Sequence, residues 1–132
     1  MKKNKIAVMM TLIIFCLTIV LGCSSQKINF KKEFSEYEGE DWCKFADDGS
    51  WMRVDTNPND VGITQDVIGL GLYLEIELEN IVTQLGFPDS VYQNEVLGTS
   101  QSDGMKEAET DDIKMSWSYS DEKGLEILFE NK

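Results

Sequence analysis

The chain contains no histidine. Imidazole is the commonest general base near neutral pH and the commonest transition-metal ligand, so every catalytic triad and zinc centre that needs it is excluded. Positive charge is also scarce: 12 Lys and Arg stand against 24 Asp and Glu, a net charge of −12. Nucleic-acid binding needs a basic footprint, and nucleic acid is excluded as a partner. What is present is ordinary for a packed domain. The 132 residues are 42% hydrophobic and 10% aromatic, enough for one core and too apolar for wholesale disorder.

The amino terminus reads as an address. Lys2, Lys3 and Lys5 are followed by an uncharged run from Ile6 to Gly22, then by Cys23, Ser24 and Ser25. A basic start before an apolar stretch is a secretory signal. The competing reading is a membrane span, but the 17 residues of the run reach only roughly 25 Å as a helix, short of the ~30 Å hydrocarbon core. The ending decides between them. Val20-Leu21-Gly22-Cys23 resembles a bacterial lipobox, with Val20 where leucine is usual. The resemblance implies acylation of the Cys23 sulfur and cleavage before it, giving a lipoprotein held at the extracytoplasmic face of the cell membrane. Two acyl chains anchor stably where one does not. Removal of residues 1–22 takes away three lysines and no acid, leaving 110 residues with 9 bases against 24 acids, a net charge of −15. Cys16 leaves with the signal and Cys23 carries lipid. Cys43 is then the remaining thiol and no internal disulfide forms, so the core alone must hold the domain.

The expected organisation is a signal over 1–22, a lipidated cysteine and tether over 23–41, and a small α+β domain over 42–132. In the tether, Phe30, Phe34 and Tyr37 lie at helical spacing, a stripe that packs on the domain or, with Lys27, Lys31 and Lys32, meets the bilayer. Residues 42–56 predict an amino-terminal hairpin around Asp47-Asp48-Gly49-Ser50. Pairing Ala46 with Trp51 puts Cys43 opposite Val54 and Phe45 opposite Met52 on a core face, making Cys43 a buried, unreactive thiol. The other face then carries Trp42, Lys44, Trp51 and Arg53, two tryptophans beside two cations, with Asp55 at its end. This is the candidate binding face, a platform for a sugar or peptide unless a helix or the tether covers it.

Residues 55–66 are a polar loop in which Asp55, Asn57, Asn59 and Asp66 occupy spacings found in calcium loops. Asp60 stands where the required glycine belongs, Pro58 intrudes and no helix precedes, so an Asx/Pro turn competes with the metal reading. From Leu70 to Leu78 the sequence alternates like a strand, but Leu74, Leu78, Ile81, Val82 and Leu85 form a helical stripe stopped by Gly86 and Pro88. This predicts a main helix over 73–86, leaving 67–72 open, and a short second helix over 89–97. Gly69 and Gly71 lack the context of a phosphate loop. At the carboxyl terminus Ile113, Met115, Trp117 and Tyr119 alternate, as do Leu125, Ile127 and Phe129. Pairing Tyr119 with Leu125 predicts an antiparallel hairpin with Lys114 opposite Glu130. The preceding MKEAET adds a third, charged edge strand with Glu109 opposite Lys114.

The segments DGSWMRVDTNP (48–58), LGFPDSVY (85–92), DG (103–104) and WSY…DEKGLEILFE (117–130) resemble a family of small, uncharacterised lipoproteins of Gram-positive bacteria. The resemblance spans most of the mature chain and implies an order of elements without a chemistry. A weaker likeness is to small outer-membrane assembly lipoproteins and inhibitor-type α/β repeats, where a helix ending in LGxP also precedes a W-x-Y hairpin. The glycine-methionine helix start of those proteins is missing here. The sequence therefore predicts a lipid-anchored, non-enzymatic binding module without a cofactor. Its partners are the membrane through Cys23 and a cationic protein or cell-wall polymer. The alternatives are a calcium-dependent module and a small carboxylate-based glycan hydrolase. Twenty-four acids produce adjacent pairs by chance, and Asp47/Asp48 and Asp111/Asp112 sit in turns where Asp is expected.

Overall fold

The structure is a computed structural model that describes residues 27–56 and 67–132, the side chains of 67–72 excepted. It is an α+β fold built on one five-stranded antiparallel sheet. Strands β1 (Cys43–Phe45) and β2 (Trp51–Asp55) form the expected hairpin, with Cys43 opposite Val54 and Phe45 opposite Met52. Its turn closes through Gly49 N–H to Ala46 C=O (2.9 Å) and Ser50 N–H to the Asp48 carboxylate (2.9 Å), an Asx turn. Gly49 adopts φ +74°, and a Cβ there would run into the Asn29 side chain, so only glycine fits.

Strands β3 (Lys106–Glu109), β4 (Ile113–Ser120) and β5 (Gly124–Asn131) form the carboxyl-terminal meander. Tyr119 faces Leu125, Trp117 faces Ile127, Met115 faces Phe129, Lys114 faces Glu130 and Glu109 faces Lys114, all as the alternation predicts. The two strand groups join where β2 pairs with β5, Met52 opposite Phe129 and Val54 opposite Ile127. The strand order is β1-β2-β5-β4-β3.

The crossover from β2 to β3 carries helix α2 (Val67–Gln84). Helical periodicity prevails over the strand-like alternation, because Leu74, Leu78, Ile81, Val82 and Leu85 share one buried cluster with Met52, Val54, Met115, Trp117, Ile127 and Phe129. The open segment 67–72 is helical. The helix stops in a Schellman motif: Gly86, at φ +86°, donates to Thr83 C=O (3.0 Å), and Phe87 N–H reaches back to Val82 C=O (3.2 Å). Phe87 and Val82 are both buried, the apolar contact that accompanies this cap. The expected short second helix is a wider, π-helical turn over Val91–Val96, in which Leu97 N–H bonds Tyr92 C=O (3.0 Å). The Tyr92 hydroxyl ties this turn to α2 at Glu75 C=O (2.8 Å). Thr99 ties it to the sheet, giving its hydroxyl to Glu95 C=O (2.6 Å) and accepting from Trp117 Nε1 (2.7 Å).

The amino-terminal stripe packs on the domain. Phe30 and Phe34 are fully buried and Tyr37 nearly so, in helix α1 (Phe30–Glu33), at its C-cap, and in the 3-10 turn Ser35–Tyr37 that follows. Asn29 caps α1 by accepting from Lys32 N–H (3.0 Å). Ile28 exchanges hydrogen bonds with the Asn131 side chain at the end of β5 (2.8 Å each), and Phe30 N–H binds Gly49 C=O (2.9 Å). Packing therefore begins at Ile28, inside the stretch expected as tether, because three aromatic rings gain more in the core than in water.

Candidate functional site

Helix α2 lies with one face of the sheet in the core, and the opposite face is open and polar. The register fixes its layout. Lys44, Arg53, Leu128, Ser116 and Glu107 stand in one row across the five strands, and Trp51, Glu130, Lys114 and Glu109 in the next. Trp51 is 36% exposed at the hairpin end of this face. The Arg53 guanidinium lies 3.1 Å from the Asp55 carboxylate and 3.8 Å from that of Glu126. Two carboxylates therefore flank one guanidinium on this face.

Three of the four expected face residues, Lys44, Trp51 and Arg53, come together here. Trp42 does not. It stands one residue before β1, in a turn closed by Cys43 N–H to Glu40 C=O (3.2 Å), where strand alternation no longer governs direction. It is 1% exposed, with its ring 5.0 Å from that of Tyr37 and 6.5 Å, edge-on, from that of Tyr73 on α2. Its Nε1 is buried with no hydrogen-bond partner among the described residues. Such an orphan donor costs about 1–3 kcal/mol, whereas burying ~200 Å² of indole at ~25 cal/mol/Å² returns about 5 kcal/mol. The ring goes inward because the second quantity is larger.

Electrostatics on the open face are pairwise. Lys114 bonds Glu107 (2.7 Å) rather than Glu130, although Glu130 is its cross-strand neighbour, and Glu107 holds its ammonium above the usual lysine range. Lys132 binds Glu109 (2.8 Å) and keeps that carboxyl below its ordinary value. Altogether Lys44, Arg53 and Lys114 face Asp55, Glu107, Glu109, Glu126 and Glu130, so the surface is net acidic. A half-exposed indole on such a surface can carry the apolar side of a sugar or a methylene stem, with carboxylates taking the donors of a cationic group.

Beneath the sheet, the titratable groups serve the fold. Burial pushes the Cys43 thiol up to about 12, which leaves it protonated and unreactive, as its place opposite Val54 implies. The Tyr37 hydroxyl donates to the Glu77 carboxylate, and its own acidity is suppressed, by burial first and then by that carboxylate. Tyr92 is likewise held protonated, by burial and by Glu75 and Glu79. Of the expected calcium ligands, Asn57, Asn59 and Asp66 lie outside the described residues, and the Asp55 carboxylate is engaged by Arg53. Among the described residues no group of three or more Asp, Glu or Cys is placed to hold a metal ion, and no helix is long and apolar enough to cross a membrane.

Glu126, Leu128 and Ser116 also belong to this surface. The carboxyl-terminal alternation puts Leu128 on the outer face of its own hairpin, with Glu126 and Ser116 in step with it, but does not reveal that β5 lies beside β2. Comparison with family models, curated proteins and solved structures gives no match.

Proposed function

We propose that the chain is a lipid-anchored, extracytoplasmic binding module that uses the open sheet face rather than a catalytic cleft. Anchoring rests on the basic start, the apolar run and the Val20–Cys23 lipobox. The observation that carries the binding role is the flat row of Lys44, Arg53 and Leu128 beside the half-exposed Trp51, with two carboxylates clamping the guanidinium. The net acidity of the face and of the mature chain favours a partner rich in cations, either a basic protein or a wall polymer bearing amines.

Metabolic labelling with a palmitate analogue tests the anchor: label is lost in Cys23→Ala, and retained label defeats the assignment. For the binding role, the mature domain immobilised as bait captures its partner from intact cells, and Trp51→Ala with Arg53→Ala loses that capture while staying folded, its stability lowered by only about 1 kcal/mol. Equal capture by the variant rejects the face.

A further inference from the structure

We infer that the domain stands on the membrane on one particular end of its sheet, the end formed by the β1–β2 turn, the β3–β4 turn and Asn131. This rests on the lipid-anchor reading above. Four residues separate Cys23 from Ile28, and the five residue-to-residue steps between them span at most ~18 Å when fully extended. Ile28 does not hang free. Its backbone N–H and C=O are both held by the Asn131 side chain at 2.8 Å, and Asn131 also reaches Ser50 C=O (3.2 Å). One residue on, Asn29 donates to Asp48 C=O (3.2 Å) and Phe30 N–H binds Gly49 C=O (2.9 Å). These bonds fasten the emerging chain to the turn at 46–50 and to the end of β5. The β3–β4 turn is at the same end, since Lys132 N–H binds Asp112 C=O (2.9 Å).

The opposite end holds the Ser120–Gly124 turn, bound to Gln101 through Asp121 N–H (2.9 Å). The 8-residue β5 carries this end roughly 26 Å farther along the strands. A mature charge of −15 repels the body from an anionic bilayer, so the point where the anchored chain joins the domain is the part nearest the lipid. The strands thus run away from the membrane. The open face with Lys44, Trp51 and Arg53 looks sideways along it, and the Ser120–Gly124 turn points outward.

Energy transfer on the full lipidated chain tests this orientation. Single cysteines replace Asp47 and Asp111 at the near end and Glu122 at the far end, all exposed. The unmodified chain serves as the control for silence of the buried Cys43. Each variant carries a donor dye, in vesicles of phosphatidylcholine and phosphatidylglycerol with a headgroup-labelled acceptor lipid. From the ~26 Å strand length, transfer at 47 and 111 exceeds that at 122 by at least about twofold. A flexible insert of about 20 Gly/Ser residues between Lys27 and Ile28 abolishes the difference, its span of roughly 25 Å matching the domain. Equal transfer at the three sites, stronger transfer at 122, or a difference that survives the insert overturns the orientation. Flotation of Cys23→Ala with the vesicles defeats the anchor reading instead, so the two failures are distinguishable.

Discussion

The two faces of the central strand pair β2 and β5 are made from the same ten-odd residues and behave oppositely. Inward, Met52, Val54, Ile127 and Phe129 are completely buried. Outward, Trp51, Arg53, Glu126 and Leu128 are at least partly solvated, and Arg53 is tied by charge to Asp55 and Glu126. Burial of apolar area sets the inner face, where each position is fixed by volume. Weak, exchangeable ion pairs set the outer one, where a residue can change without unfolding the chain. The fold therefore places its stability on one side of the sheet and leaves the other side available for recognition.

Substitutions across the pair break this contrast or sharpen it. The largest effect is expected from Phe129→Ala, which empties a fully buried ring site and costs about 3–5 kcal/mol in urea unfolding. Its neighbour Leu128, on the open face, costs about 1 kcal/mol or less as Leu128→Ala. Similar losses at the two positions would remove the distinction. Gly49→Ala comes next: a positive φ and a Cβ driven into Asn29 cost about 1–3 kcal/mol, and amide exchange quickens at Ile28 and Phe30, whose N–H groups bind Asn131 and Gly49. Smallest is Arg53→Ala, which breaks only exposed pairs and moves stability by about 0.5 kcal/mol.

The inner face also gives the protein an alkaline limit. The folded chain holds the Cys43 proton up to about 12, against 9.0 for a free thiol, and Tyr37 and Tyr92 keep theirs above the ordinary 10.0. A folded state that binds protons more tightly than the unfolded one has the full benefit below the unfolded pKa and loses it as pH rises. Stability is thus flat to about pH 9 and falls between pH 9 and 12, first through Cys43. In Cys43→Ala the decline begins near pH 10, where the tyrosines take over. An unchanged onset in that variant would assign the decline to other groups.

Both hairpins were legible in the sequence because their information is local: period-two alternation on either side of a short turn leaves one register that puts apolar residues together. The β2–β5 pairing was not, since Trp51 and Glu130 are far apart in sequence and no local pattern links them. That gap explains why the candidate face was read from one hairpin alone, without Glu126 and Leu128. Trp42 departs from the expected face for a related reason: strand alternation does not extend one residue before β1, into a turn where the ring meets Tyr37 and Tyr73 although its C=O still accepts from Asp55 N–H (2.9 Å). The π-helical turn left only a generic helical signal, because its widening depends on Tyr92 and Thr99 bonding to other elements.

Photo-crosslinking in living cells tests the division of labour between the two faces most directly. A photoreactive residue at Ser116, in the central row of the open face, is compared with one at Ile76, 51% exposed on the outer side of α2. One discrete cross-linked product is expected from Ser116 and none from Ile76. A product from Ile76 with none from Ser116 would contradict that division.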